Sequence, residues 1–185
     1  MKSSALVLKK GKYLAPVYTT YSLENLLVGI TEYPNPIQTG VWHAHEKPLI
    51  SFVLEGGNLE NRKGLQIERF AGCTNFYHAH EPHQNTYKKF PSKHFSIEIE
   101  HHFLDQYHLT ETEVYLAVNR HSIHQTLLIK ILKEALQNDL HSAPAVELLF
   151  LELIHKSLAI KDTRTFPEWM KTIYEILNDR WNETL

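Results

Sequence analysis

The sequence is short of several things, and each shortage closes off a class of protein. Cys73 is the single cysteine among 185 residues, so no internal disulfide can form and a reducing compartment is the expected home. Basic residues are not in excess. The 19 Lys and Arg stand against 21 Asp and Glu, for a formal net charge of −2, whereas a surface that grips nucleic acid by its phosphates is strongly basic. Long apolar runs are missing as well. Ala5 to Leu8, which leads into Lys9 and Lys10, is far too short for a signal-peptide core or a membrane span. There is no internal repeat and no low-complexity stretch. The expectation is a soluble, cytoplasmic chain with no membrane segment, made of one domain or one domain with a helical appendage.

What is present first is strand signal. A hydrophobic content of 43% is enough for a core. Leu26 to Tyr33 is apolar and β-branched and is stopped by Pro34-Asn35-Pro36. Leu49 to Leu54 is a short apolar run, and Glu55-Gly56-Gly57-Asn58 after it has the composition of a turn. Lys93 to His102 alternates, with Phe95, Ile97 and Ile99 on one face and Ser96, Glu98 and Glu100 on the other, as a half-buried strand requires. Many short strands with frequent turn residues favour a barrel or sandwich over a parallel α/β sheet.

The period then changes to helical. From Ser122 to Leu136, the residues Ile123, Leu127, Ile131, Leu132, Ala135 and Leu136 recur at helix spacing. Ser142 and Pro144 read as the start of a second helix, which carries Val146, Leu149, Phe150, Leu153, Ile154 and Leu158. Joined by a short Asp139–Ser142 connection, the two are expected to pack as an antiparallel pair. Their apolar stripes suit either a cover for the barrel alone or a cover plus a dimer interface. Thr165 and Glu168 stand in capping-box spacing ahead of Trp169, Ile173, Ile176, Leu177 and Trp181, which predicts a terminal helix. The expected divisions are 1–105 for a ligand-binding barrel, 106–162 for a helical dimerisation region, and 163–185 for a linker with the first helix of a further, incomplete domain.

Histidine is the unusual component. Of 13 in the chain, the first five fall in two groups: His43 and His45, then His78, His80 and His83. On a strand, residues two apart share a face and lie roughly 7 Å apart along the backbone. His43 and His45 can therefore converge on one metal ion or one ligand, with Trp42 and Ala44 on the opposite face. His78 and His80 repeat the spacing, and serve as turn residues at a rim, as partners of the first pair, or as pocket walls.

These residues carry a resemblance to the cupins. His43-Ala44-His45 followed by Gly56-Gly57, with Gly40 ahead of it, resembles the first cupin motif. The stretch from Gly72 to His83 resembles the other motif, with His78 and His80 standing where the family has Pro and Gly. The resemblance makes His43, His45 and His83 the metal histidines. The glutamate that completes the family's site would fall at Leu49 or Ile50, both aliphatic. A three-histidine site suits zinc, nickel or iron as a divalent cofactor, and the same histidines can line a pocket that holds no metal.

The order of parts is similar to the arabinose-regulator (AraC) type of sensor domain: Trp42-His43-x-His45, Glu55-Gly56, Phe70-Ala71-Gly72, Pro82-His83, a helical pair, and then Phe166-Pro167-Glu168-Trp169. The fold this implies is mainly β plus α, a double-stranded β-helix (jelly-roll) barrel followed by the helical pair and a terminal helix. It implies a non-enzymatic, effector-sensing and dimerising domain whose DNA contacts belong to a helix-turn-helix domain that the sequence does not include. The implied pocket is lined by His43, His45, Phe52, Phe76, His78, His80, His83 and Tyr87, with Met1 to Val17 as an arm over it. The rival is a stand-alone cupin metalloprotein, either a dioxygenase- or isomerase-like enzyme or a metal sensor, that uses His43, His45 and His83.

Overall fold

The structure, a computed structural model, describes residues 5–35, 40–62, 64–119 and 123–159. The described strands are β1 (Leu6–Leu8), β2 (Val17–Leu23), β3 (Leu26–Tyr33), β4 (His43–His45), β5 (Leu49–Arg62), β6 (Leu65–Phe70), β7 (Thr74–Tyr77) and β8 (Gln84–Ile99). The helices are α1 (His101–Gln106), α2 (Glu111–Asn119), α3 (Ile123–Gln137) and α4 (Ser142–Ala159). The main sheet runs β2-β3-β8-β5-β6 with β7 also on β5, every pairing antiparallel, and β1 pairs with β4 in parallel beside it. Strands of both sheets line one central cavity, so together they form a barrel. The terminal helix expected from Thr165, and the region 163–185 around it, lie outside the described residues.

Leu26–Tyr33 is a strand at the expected bounds. The turn expected at Glu55–Asn58 is not one. β5 runs straight through it to Arg62, and its register against β8 shifts repeatedly between Val53 and Leu59. Glycine is needed here because the strand bulges and bends against its neighbour. Gly56 has φ +68°, and a Cβ there would lie 2.4 Å from the Pro91 carbonyl oxygen. A bulge and a turn draw on the same residues, so composition alone does not separate them.

The strand expected over 93–102 ends at Ile99. Glu100 caps α1, whose Phe103 and Leu104 are buried. That strand is not half-buried either. Phe95, Ile97 and Ile99 are fully buried, and Ser96 and Glu98 on the other face are 6% and 3% exposed. The apolar face joins Leu26, Val28, Ile50, Phe52 and Phe76 beneath the helices, in one continuous core with Val114, Leu128, Ile131, Val146, Phe150 and Leu153. Each such side chain contributes roughly 1.5–3 kcal/mol by burial. The polar face turns into the barrel.

In the helices, Leu127, Ile131 and Ala135 of the expected α3 stripe are buried, with Leu128 added, while Leu136 is 48% exposed. α2 begins with a capping box that the sequence reading passed over: the Thr110 N–H donates to Glu113 at 2.8 Å, and the Glu113 N–H to Thr110 Oγ1 at 3.2 Å. No helix among the described residues is long and apolar enough to cross a membrane.

Candidate metal centre and ligand cavity

Backbone bonds hold β4 on both edges. On one side, Leu6 N–H donates to Trp42 O (3.0 Å) and Glu46 N–H to Leu8 O (2.8 Å). On the other, His43 and His83 exchange hydrogen bonds of 2.9 and 2.8 Å, and His80 N–H donates to His45 O at 2.8 Å. His43 and His45 thus face the lumen from one strand, and the turn that contains His80 (φ +60°) delivers His83 beside them.

The three imidazoles converge, with their candidate ligand atoms all within 4.8 Å of one another and every ring buried. Nitrogens on a tetrahedral zinc, at bonds of ~2.0–2.1 Å, lie about 3.3 Å apart, so the triangle is slightly open and small ring movements close it. His43 Nδ1 lies 2.9 Å from the Val41 carbonyl and His83 Nδ1 lies 3.1 Å from that of Glu81. A carbonyl only accepts, so each Nδ1 carries the proton and each Nε2 keeps a free lone pair. His45 Nδ1 is buried with no partner among the described residues.

Burial, then the neighbouring histidines, hold His45 down to about 3 and His83 to about 2, and burial lowers His43. All three are neutral at pH 7, as metal ligation requires. The donor set and the orphaned nitrogen fit a borderline divalent ion such as zinc, nickel or iron. Leu49 lines the same cavity and offers no ligand.

The other expected site residues separate cleanly. Tyr87 lines the cavity. Phe52 and Phe76 do not: both are buried in the helix-covered core, on the face opposite the lumen. His78 Nδ1 meets Glu111 of α2 at 2.8 Å, and His80 forms the turn, so neither lines the cavity. The sequence reading missed Tyr13, Tyr33, Ser51, Arg69, Tyr77, His94 and Ser96, which line it. For His94 and Ser96 the signal was available, since they belong to the polar face of the alternating strand.

The space around the histidines is about 50 Å³, enough for an ion and a few waters but well short of the ~300–1,000 Å³ of an ordinary small-molecule site. It continues into an outer cavity of about 230 Å³, bounded by Leu14, Tyr33, Gly40, Val41, His43, Asn85 and Tyr87. No carboxylate lines either space among the described residues.

Among the described residues, Arg69 is the one guanidinium facing the inner space. Its Nη1 donates to Tyr77 Oη (3.0 Å) and Glu60 (3.4 Å), its Nη2 to Ser51 O (3.1 Å) and Ser51 Oγ (3.2 Å), and its Nε has no partner there. Glu60, fully buried behind Tyr77, also accepts from Arg62 Nε at 2.9 Å and from Asn75.

The N-terminal segment closes one side. Leu8, Tyr13 and Leu14 line the inner cavity. Gly11 N–H donates to both Glu98 oxygens (3.2 and 3.0 Å), and Tyr13 Oη meets Ser96 Oγ at 3.1 Å. Lys10 and Lys47 both pair with Glu100, at 2.6 and 2.8 Å. Tyr13 lies so close over Gly29 that a Cβ there would be 2.3 Å from the phenol oxygen.

No protein-family model matches the chain, and no curated protein sequence does. Among solved structures it is similar to a cupin-2 domain containing protein from Shewanella frigidimarina, at 16% identity and TM-score 0.40 over 48% of this chain and 85% of that one. It is also similar to KdgF from Halomonas sp., at 16% and 0.39 over 43% and 74%. A third is the DMSP lyase DddQ from Ruegeria pomeroyi, at 19% and 0.39 over 44% and 46%.

Proposed function

We propose that this chain is the effector-sensing part of an AraC-type transcription regulator, built on a cupin-type barrel. In this reading His43, His45 and His83 hold a divalent metal, and a small molecule seats against it from the outer cavity. The observation that carries the reading is the position of residues 6–14. β1 pairs with the histidine strand, and Leu8, Tyr13 and Leu14 form part of the cavity wall. Anything that enters the site bears directly on this segment and changes the balance between its docked and undocked states. The strands that line the cavity carry the helical core on their reverse face, which gives the same event a route to the helices. Homodimerisation through α3 and α4, DNA contact through a helix-turn-helix domain outside this sequence, and a cytoplasmic location complete the proposal.

Hydrogen exchange on the zinc-loaded protein tests it. A ligand that binds in the cavity changes amide protection in residues 6–14; binding with unchanged protection there overturns the sensing role.

A metalloenzyme remains the alternative, favoured by three neutral imidazoles that leave a metal position open, as catalytic zinc sites do. The wall around them argues against it. A metal-bound water would supply a base near neutral pH, but a protein acid or proton shuttle beside it must also titrate near 7. No carboxylate lines the space among the described residues, and burial holds His94 at about 3. Turnover that is lost with His43→Ala would favour the enzyme.

A further inference from the structure

We infer that the small molecule taken by this cavity is an organic monocarboxylate with a compact apolar body, its carboxylate directed inward past Asn85 and its body held between Leu14, Val41 and Tyr87. The inference deepens the ligand-binding reading above and rests on it.

Charge decides the inner end. Among the described residues the cavity wall has no acidic side chain and one guanidinium, Arg69, whose side chain is 4% exposed. Two terminal nitrogens of Arg69 are committed to fixed partners, and Nε, buried, has none. Its partner Glu60 (3.4 Å) also meets Arg62 (2.9 Å), and Arg62 in turn meets Glu81 (3.7 Å), so two guanidinium groups stand with two carboxylates and what remains unmet is the Nε donor of Arg69. A buried, unmet donor on a guanidinium, with no carboxylate in the cavity wall to accept from it, favours a ligand that brings a strong acceptor, and a carboxylate accepts more strongly than a neutral group. A divalent ion on three neutral imidazoles adds to this preference, since none of its protein ligands carries negative charge.

Apolar surface decides the outer end. Tyr33 and Tyr87 stack at 3.7 Å, and Leu14 and Val41 complete the wall of the 230 Å³ space. A dianion would place its second charge against this wall with nothing to pair it, so a single carboxylate is the match. The inner 50 Å³ takes the head group of such an acid and not its body.

The test uses the intact protein in zinc-loaded and chelator-treated forms, with zinc content read by native mass spectrometry. Benzoate, its uncharged isostere benzamide, and acetate are titrated into each by calorimetry. The expected result is benzoate at least tenfold tighter than benzamide in both forms, tighter still with zinc, and at least tenfold tighter than acetate. Equal affinity for benzoate and benzamide, or binding of neither, overturns the carboxylate assignment while one bound zinc leaves the metal reading intact. Equal affinity for benzoate and acetate overturns the apolar body. Failure to take up zinc, with the benzoate preference kept, overturns the metal reading and supports the carboxylate assignment through Arg69 alone.

Discussion

His43 and His83 are each placed by the other's backbone. They exchange hydrogen bonds of 2.9 and 2.8 Å, and their rings lie 4.2 Å apart. Main-chain groups form this bridge, so it survives removal of either side chain. His43→Ala and His83→Ala are therefore expected to fold and to lose zinc affinity by at least about 100-fold, the upper range seen for outer-shell partners alone. His78→Ala, whose ring faces Glu111 instead, leaves affinity unchanged. Competition against a chromophoric chelator reads both.

Tyr13 packs directly over Gly29. Gly29→Ala pushes a methyl into the phenol and is expected to release residues 6–14 with little change to the rest of the barrel. Limited proteolysis checks this: cleavage confined to the N-terminal segment is the predicted outcome, and an unchanged digestion pattern contradicts it.

Acid is expected to destabilise the metal-free protein well above the carboxylate range. Burial holds His94 and His45 at about 3 in the folded state, against 6.5 ordinarily. The unfolded chain takes up these protons first, so stability is full above 6.5 and falls as pH drops toward 3. One such histidine costs about 2 kcal/mol between pH 7 and pH 5. Glu98, raised by burial, acts in the opposite sense. Urea unfolding at a series of pH values should give a shallower slope for His94→Gln than for the unmodified chain.

Glu60 stands among Arg62, Arg69, Tyr77 and Asn75 with no exposure. Glu60→Ala leaves two guanidinium groups facing each other without the carboxylate between them, at an expected cost of about 3–5 kcal/mol. A shift of the urea midpoint equivalent to less than about 1 kcal/mol, on the order of a surface pair, would contradict the network's structural weight.

Leu136, Leu140 and Leu148 are 48%, 94% and 68% exposed on or between α3 and α4. If the helices join two copies, Leu148→Glu is expected to give a monomer by sedimentation while Leu65→Glu, on the β6 edge, does not. A dimer indifferent to Leu148→Glu moves the interface elsewhere.

The sequence announced the histidine centre more clearly than its surroundings. Strand period two put His43 and His45 on one face, and the resemblance to the second cupin motif brought in His83 as the third. Phe52 and Phe76 went astray because alternation identifies two faces without saying which one is inside. In this barrel both faces are buried, and the lumen takes the polar one. Glu55–Asn58 misled because a bulge and a turn share their glycines. α2 was legible in Thr110-x-x-Glu113 and was passed over. For Arg69 no local pattern existed: its place in the cavity wall follows from how β6 pairs with β5, a relationship between segments that composition does not carry.

The alternation along β5 and β8 has one more consequence. Leu49, Ser51, His94 and Ser96 look into the cavity, while Ile50, Phe52, Phe95 and Ile97 hold the helices. Cavity lining and core packing are interleaved residue by residue on the same strands yet touch different neighbours. Point changes at the cavity-facing positions would therefore alter the lining while leaving the helical layer as it is.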